Sequence, residues 1–289
     1  MHYTKPALTI EDQVKLIQGR GLAISDPARA VRWLNRVGYY RLSAYLLPFK
    51  TPGSDQFAPG ATFDEVTDLY KFDAGLRLLV FQATDRVEVA LRASITYHMA
   101  HALGPFGYVD PTNFAPTFQH AEFMRILDHE QRRSAETFVT HYRAKYTSER
   151  HLPIWMATEL ISFGALSKMY ENLRARLRKQ VAREYGISQP VFVSWLHTLS
   201  YVRNTCAHHS RLWNRELAVK PELPHVWTAE GVTNDRIYCV LLILQTLLSV
   251  VAPESKWKER LKAHIAAYPA ISSASMKFPP DWTQQKIWE

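Results

Sequence analysis

Residues 195–215 read WLHTLSYVRNTCAHHSRLWNR, an apolar stretch that runs directly into a dense polar cluster. The apolar positions recur at intervals of three and four residues, which is the periodicity of a helix with one buried face. They are Trp195, Leu196, Leu199, Val202, Cys206 and Ala207. We therefore predict a helix that buries this stripe in the core and carries the polar side chains at its C-terminal end.

The polar cluster combines the side chains that phosphate chemistry needs. Arg203 has a permanent charge and a fork of N–H donors that suits a phosphate group. His208 and His209 follow it closely, and histidine exchanges protons near neutral pH. A helix places Asn204 one turn from His208 on the same face. Guanidinium and imidazole groups together could supply the charge stabilisation and the proton transfer of a ribonuclease that needs no metal.

Other interpretations of these residues stay open. The cluster could be a structural polar knot, in which the arginine and the histidines bond buried carbonyls and a carboxylate. Glu159 lies in an apolar helix and is the candidate carboxylate, because a buried charge needs a partner. Arg92 and His98 are a candidate second half-site. However, six residues turn a helix by about 600°, which leaves these two side chains on different faces.

The composition narrows the class of protein. A chain of 289 residues can bury a large core, as one extended domain or two merged ones. The net charge of +8 favours a polyanionic partner such as nucleic acid over a merely basic surface. The two cysteines, Cys206 and Cys239, lie in apolar runs, which excludes a disulfide framework and fits the cytoplasm. We find no spacing of cysteine and histidine that suits zinc and no glycine-rich phosphate loop, so we expect no metal and no cofactor.

Neither a secretory signal nor a membrane span is predicted. The first 15 residues lack the apolar segment of a signal peptide. The most apolar run, residues 237–252, is shorter than the roughly 20 residues that cross a bilayer. We therefore interpret it as a buried helix and expect no membrane partner.

Helical spacing extends over nearly the whole chain, and glycine is scarce, so we predict an all-α fold. Thr9 and Asp26–Pro27 are N-cap signals for the first two helices, and Gly38 is the predicted end of the second. A long helix begins at Thr62 or Asp64 and runs to about residue 103. Further helices are predicted over 119–146, 234–252 and 254–268, with a loop over 217–232. We therefore predict that the chain divides into three segments: a small N-terminal helical unit (1–50), the main helical domain (51–268) and a tail that packs on the body (269–289).

Arg211 of the polar cluster and basic residues elsewhere in the chain are candidates for contact with a nucleic-acid backbone, and the alternative is that they form solvated helix surfaces. Residues 173–186, LRARLRKQVAREYG, form the strongest basic run, and residues 141–146, HYRAKY, form a basic and aromatic patch. The candidate RNA-binding side chains are Arg174, Arg176, Arg178, Arg183, Arg211, Arg143 and Lys145.

Several stretches of the chain resemble the Abi family of bacterial abortive-infection proteins, of the AbiD/AbiF type. They include RAVRWLNRVGYYRLSAYLLPF (29–49), FAPGATFDEVTDLYKFDAGLR (57–77), PIWMATELISFGALSKMY (153–170) and SWLHTLSYVRNTCAHHSRLWNREL (194–217). The polar cluster itself is similar to the motif of HEPN ribonucleases, an arginine followed by a polar residue and, four to six residues on, a histidine. In that motif Arg203, Asn204 and His208 would be catalytic, with His209 as the alternative histidine.

The resemblance implies a HEPN-like helical bundle and an endoribonuclease that leaves a 2′,3′-cyclic phosphate and a 5′-OH. It implies a toxin-like role in antiviral defence, in which RNA cleavage halts the infected cell. HEPN sites are commonly built from two motifs that face each other, which suggests a homodimer or a use for Arg92 and His98. Two alternatives remain at this point. The chain could be a non-catalytic protein that binds a small structured RNA, or an interaction protein without either activity.

Overall fold

Thirteen α-helices make up the regular secondary structure of the computed structural model, which describes residues 2, 4 and 6–289. No β-strand occurs among these described residues, so the prediction of an all-α fold is confirmed. The likeness to a HEPN bundle stays a prediction. The helices are α1 (Ile10–Gly19), α2 (Pro27–Val37), α3 (Tyr39–Leu46), α4 (Phe63–Leu103), α5 (His120–Arg133), α6 (Thr137–Lys145), α7 (Ile154–Leu160), α8 (Phe163–Asn172), α9 (Ala175–Glu184), α10 (Gln189–Ala207), α11 (His225–Ala229), α12 (Ile237–Val251) and α13 (Trp257–Ala266).

Local capping signals start the early helices where the sequence predicts. The side chain of Thr9 accepts a hydrogen bond from the backbone N–H of Asp12 at 3.1 Å, and Asp26 accepts from that of Arg29 at 2.9 Å. Gly38 ends α2 with a φ of 83°, a conformation that favours glycine. At the start of α4, Thr62 and Glu65 bond each other's backbone N–H groups at 3.2 and 2.9 Å. This reciprocal capping box satisfies two of the N–H groups that a helix start leaves without partners.

The described residues form two compact units. The first contains the described residues up to Arg77 together with Ala263–Ser272, and the second contains Leu78–Lys262 and Ser273–Glu289. Helices α4 and α13 therefore each contribute to both units. This is a different division from the three segments predicted from the sequence, which stay a prediction.

A polar network lies buried in the first unit. The hydroxyl of Tyr45 donates to the Asp73 carboxylate at 2.6 Å, and Arg77 donates to that hydroxyl at 3.0 Å and also to Asp73. Burial and the adjacent carboxylate of Asp73 raise the pKa of Tyr45, so the hydroxyl keeps its proton and remains a donor. The network joins α3 to the start of α4.

Helix α10 packs against α8, α9 and α12 in the second unit. The predicted stripe is buried, from Trp195 to Cys206. Helix α12 is apolar almost all round, and ten of its 15 residues are buried, as the sequence predicts for a core helix. In the tail, Trp288 is fully buried, and its ring centroid lies 6.4 Å from that of Trp257. None of the helices in the described part of the chain is long and apolar enough to cross a membrane.

Two predictions of local structure are wrong. The helix predicted over 119–146 is two helices, α5 and α6, because the chain becomes extended at Ser134, where the side-chain oxygen accepts from the backbone N–H of Glu136 at 3.3 Å. Serine side chains that bond nearby backbone groups compete with helical hydrogen bonds in this way. The predicted loop over 217–232 contains the short helix α11, which begins after Pro224.

Candidate functional site

The polar cluster lies at the C-terminus of α10. The helix ends at Ala207, so Asn204 lies in its last turn, Arg203 directly precedes that turn, and His208 is the capping residue. The backbone N–H of His209 donates to Cys206 O at 2.9 Å, and that of Ser210 donates to Thr205 O at 3.0 Å. These two bonds define a Schellman turn, which satisfies carbonyl groups that a helix end would otherwise leave without partners.

The turn requires a left-handed backbone at His209, where φ is 55°. Glycine usually occupies this position, because a side chain there costs roughly 1 kcal/mol. Only two other non-glycine residues in the described chain have a positive φ, and one of them, Asn214, lies in the segment that follows the same helix. Non-glycine residues held in this conformation concentrate at functional sites. The turn leaves His208 and His209 adjacent and both exposed, in contrast to the apolar stripe of the same helix.

Arg203 is held by α4 and remains accessible. Its Nε lies 3.6 Å from Glu88 Oε2, and its guanidinium carbon lies 5.7 Å from the centre of the Phe81 ring. Its Nη1 donates to Asn204 Oδ1 at 3.4 Å. The arginine side chain is 34% exposed, whereas that of Glu88 is 12% exposed. Glu88 and Phe81 therefore hold the buried side of the Arg203 guanidinium, and N–H donors on its exposed side remain for a ligand.

Glu88 links the arginines of the two candidate motifs. Its Oε1 accepts from Arg92 Nη2 at 2.8 Å, while Oε2 faces Arg203. Glu159, the buried carboxylate predicted from the sequence, is exposed, so that assignment is wrong. Glu88 and Arg92 are four residues apart on α4, a spacing that brings helical side chains together. The four-residue spacing could have indicated from the sequence that Glu88 and Arg92 form an ion pair, but it does not show how exposed that pair is.

Arg92 and His98 have separate partners. Besides Glu88, Arg92 donates to the carbonyl oxygens of Ile161, at 3.1 Å, and of Thr158, and its side chain is only 11% exposed. His98 Nε2 lies 2.7 Å from Glu184 Oε1. Arg92 thus binds the chain around the end of α7, and His98 faces α9. The second half-site stays a prediction, and these contacts favour a structural role for Arg92.

The basic run on α9 divides into two kinds of arginine. Arg176 and Arg183 are exposed, as a contact with nucleic acid requires. Arg174, the N-cap residue of α9, is exposed as well but donates to Thr112 O at 2.8 Å, and the half-buried Arg178 donates to Glu171 O at 2.9 Å. The second kind therefore holds neighbouring backbone in place and has less capacity to bind a phosphate.

The other candidate RNA-binding residues also differ in their exposure and in whether they bond the backbone. Arg143 and Lys145 are exposed at the end of α6, with Lys145 Nζ 5.3 Å from the centre of the Tyr146 ring and Arg143 donating to Gln131 O. Arg211 is half-buried in the segment after the Schellman turn. Arg215 anchors that segment by donating to Tyr201 Oη at 3.0 Å.

The side chains of the cluster suit acid–base and phosphate chemistry. In the described part of the chain, no group of three or more histidine, cysteine, aspartate or glutamate residues is arranged to hold a metal ion. Burial raises the pKa of the Cys239 thiol to about 12, which makes it a poor nucleophile at neutral pH. Histidine in general is the side chain best suited to proton transfer near neutral pH, and the cluster contains two exposed histidines.

Comparison with known protein families identifies a match. A family profile described as Abi-like protein matches residues 32–214, which include α10 and the whole polar cluster up to Asn214. No curated protein and no solved structure matches the chain.

Proposed function

Because the chain belongs to the Abi-like protein family and is thus an abortive-infection type of protein, we propose that it is an antiviral endoribonuclease that cleaves RNA by attack of the neighbouring 2′-OH. The observation that carries this proposal is the end of α10. There, an accessible arginine, an asparagine and two exposed histidines lie within seven consecutive residues, and the turn that ends the helix holds His209 in a left-handed conformation.

The proposed reaction uses imidazole and guanidinium groups of the kind that the cluster contains, together with the 2′-OH of the RNA. One imidazole removes the proton of the 2′-OH, and the oxygen attacks the adjacent phosphorus. The bond from phosphorus to the 5′-oxygen breaks, and a protonated imidazole gives that oxygen its proton. The products are a 2′,3′-cyclic phosphate and a 5′-OH. Arg203 stabilises the charge on the five-coordinate phosphorus, and preorganised donors are often the largest contribution to such catalysis.

His208 is the proposed proton-transfer residue, and His209 is the alternative. Asn204 orients the histidine or binds an RNA oxygen. The reaction uses both an acid and a base, so we propose that a second copy of the chain brings another Arg203–His208 motif to the site. The protein would then act as a homodimer.

The test compares His208→Ala with His209→Gly in the full-length protein. Glycine is the better replacement at position 209, because it keeps the left-handed turn that alanine would strain. His208→Ala should lower the rate of RNA cleavage by about 10²–10⁴-fold, the typical effect of losing a general acid or base. Binding to a 2′-deoxy oligonucleotide, which lacks the attacking hydroxyl, should change little, since affinity comes mainly from contacts to phosphate.

The outcomes separate the candidate assignments. If only His209→Gly is inactive, the proton-transfer role belongs to His209. If both variants cleave at the rate of the unchanged protein, the assignment of cleavage to this cluster is wrong. If the unchanged protein binds RNA and does not cleave it, the second candidate is supported, a non-catalytic regulator that binds a small structured RNA. The Glu88 carboxylate beside Arg203 favours that candidate, because it offsets the charge that Arg203 would need for cleavage, while the exposed Arg176 and Arg183 could still bind RNA.

A further inference from the structure

A pocket of about 500 Å³ lies in the first unit, away from the residues of the polar cluster in sequence. Helix α2 supplies most of its wall, since positions 29, 32, 33 and 36 follow helical spacing and share one face. The start of α4 supplies Tyr70. The lining residues are Arg29, Arg32, Trp33, Arg36, Val37 and Tyr70.

Two aromatic rings form the apolar part of the pocket. The centroids of Trp33 and Tyr70 are 5.6 Å apart, and their planes are nearly perpendicular, at 84°. Tyr70 also packs edge-on against Tyr45, which the buried network with Asp73 and Arg77 holds in place. Trp33 and Tyr70 are both only half-buried. The pocket therefore offers a supported aromatic surface to a flat ligand.

The arginines around the rings differ in how firmly they are held. Arg29 forms an ion pair with Asp64, and its Nη2 donates to the Thr67 hydroxyl at 2.9 Å. The side chain of Arg32 is 58% exposed and reaches Asp26 only at 3.6 Å. The side chain of Arg36 is exposed and makes no hydrogen bond or ion pair with any residue that the structure describes. Two exposed guanidinium groups thus lie beside the aromatic surface, with donors left for an anion.

We propose that this pocket binds one nucleotide, with its base against Trp33 and Tyr70 and its phosphate on Arg32 and Arg36. The volume lies within the range of roughly 300–1,000 Å³ that is usual for small-ligand pockets. Aromatic stacking combined with guanidinium contacts is how single-stranded nucleic acid is held without reading its sequence. The nucleotide is either free or part of a strand, and the strand form rests on the proposed function, since that strand would be the RNA substrate.

The test measures binding of a fluorescent deoxythymidine decamer to the full-length protein. This probe has no 2′-OH, so the readout is independent of cleavage and of His208. Trp33→Leu should weaken binding by roughly 5- to 140-fold, which corresponds to stacking worth about 1–3 kcal/mol per base. Trp33→Phe should restore most of the affinity, because it keeps an aromatic face.

A pair of arginine substitutions tests the phosphate contact. Arg32→Ala/Arg36→Ala should weaken binding of the decamer. It should also reduce the slope of log affinity against log salt concentration by about 1.4, because each lost phosphate contact on a single strand accounts for roughly 0.7. The matched control is Lys15→Ala/Arg125→Ala, which removes two exposed cations that pair with surface carboxylates. It should change affinity by less than about twofold. Melting curves identify any variant that fails to fold.

Competition with adenosine monophosphate distinguishes the two sources of the nucleotide. Displacement of the decamer by millimolar mononucleotide supports a site for a free nucleotide. Binding that depends on Trp33 and resists the mononucleotide supports a site for a strand. The proposal is overturned if folded Trp33→Leu and Trp33→Phe both bind like the unchanged protein, if the control pair loses as much affinity as the pocket pair, or if an acidic phosphopeptide displaces the decamer and the mononucleotide does not.

Discussion

Replacement of Arg92 by methionine tests whether this residue holds the fold together or takes part in the chemistry. Arg92 has a side chain 11% exposed, paired with Glu88, which is 12% exposed. It also donates to the carbonyl oxygens of Thr158 and Ile161, 66 and 69 residues further along the chain. Methionine keeps much of the length of the side chain and removes every donor. It leaves a buried carboxylate and two carbonyl groups without this partner.

The expected loss of stability follows from these contacts. Removing one partner of a buried ion pair costs about 3–5 kcal/mol, and Arg92→Met should fall near the lower end because Glu88 keeps Arg203 at 3.6 Å. A chain of this size loses about 2–4 °C in melting temperature per kcal/mol, so we expect a decrease of about 6–12 °C. The measurement is thermal unfolding followed by circular dichroism. The control is Arg86→Met, an exposed arginine on the same helix, which should change stability by less than about 0.5 kcal/mol.

The activity of the same variants decides the role of the second motif. If Arg92 is structural, Arg92→Met retains cleavage at temperatures well below its melting point, and His98→Ala cleaves like the unchanged protein. The reasoning fails if Arg92→Met melts within about 2 °C of the unchanged protein and has lost cleavage. That result would make Arg92 a functional group and would restore the second half-site.

Three further outcomes are expected. Arg176→Ala/Arg183→Ala should reduce the slope of log affinity against log salt concentration for RNA binding by about 1.4, because each lost phosphate contact on a single strand accounts for roughly 0.7. An unchanged slope would place the RNA contact elsewhere, and Arg143 and Lys145 would then be the next candidates. Light scattering at micromolar concentration should show a dimer, and a fully active monomer would contradict the two-motif site. Burial raises the pKa of Cys239 to about 12, so the folded chain keeps a thiol proton that the unfolded chain loses near pH 8.5. This contribution to stability is complete below about pH 8.5 and declines as the pH rises towards 12. We therefore expect the free energy of unfolding in urea to decrease between about pH 8 and about pH 10.5. The decrease should be smaller for Cys239→Ala, which has no thiol to ionise, than for the unchanged protein.

The sequence by itself determined the features that depend on neighbouring residues. Thr9 and Asp26 cap the first two helices as predicted, because a side-chain oxygen reaches N–H groups only three residues away. The stripe from Trp195 to Cys206 is buried because helical periodicity places those side chains on one face. The same local order puts Arg203, Asn204, His208 and His209 at one helix end.

Only the tertiary structure decided which charged side chains meet and which remain available. Glu88 approaches Arg203 across 115 positions of chain, and Glu159, the carboxylate that the sequence favoured, is exposed. Arg174, Arg176 and Arg183 are all exposed and belong to one basic run, but only Arg174 bonds a distant backbone carbonyl, that of Thr112. Sequence periodicity assigns a side chain to a face of its helix. Which partner that face meets depends on how distant segments pack together, and the short-range pattern does not contain that information.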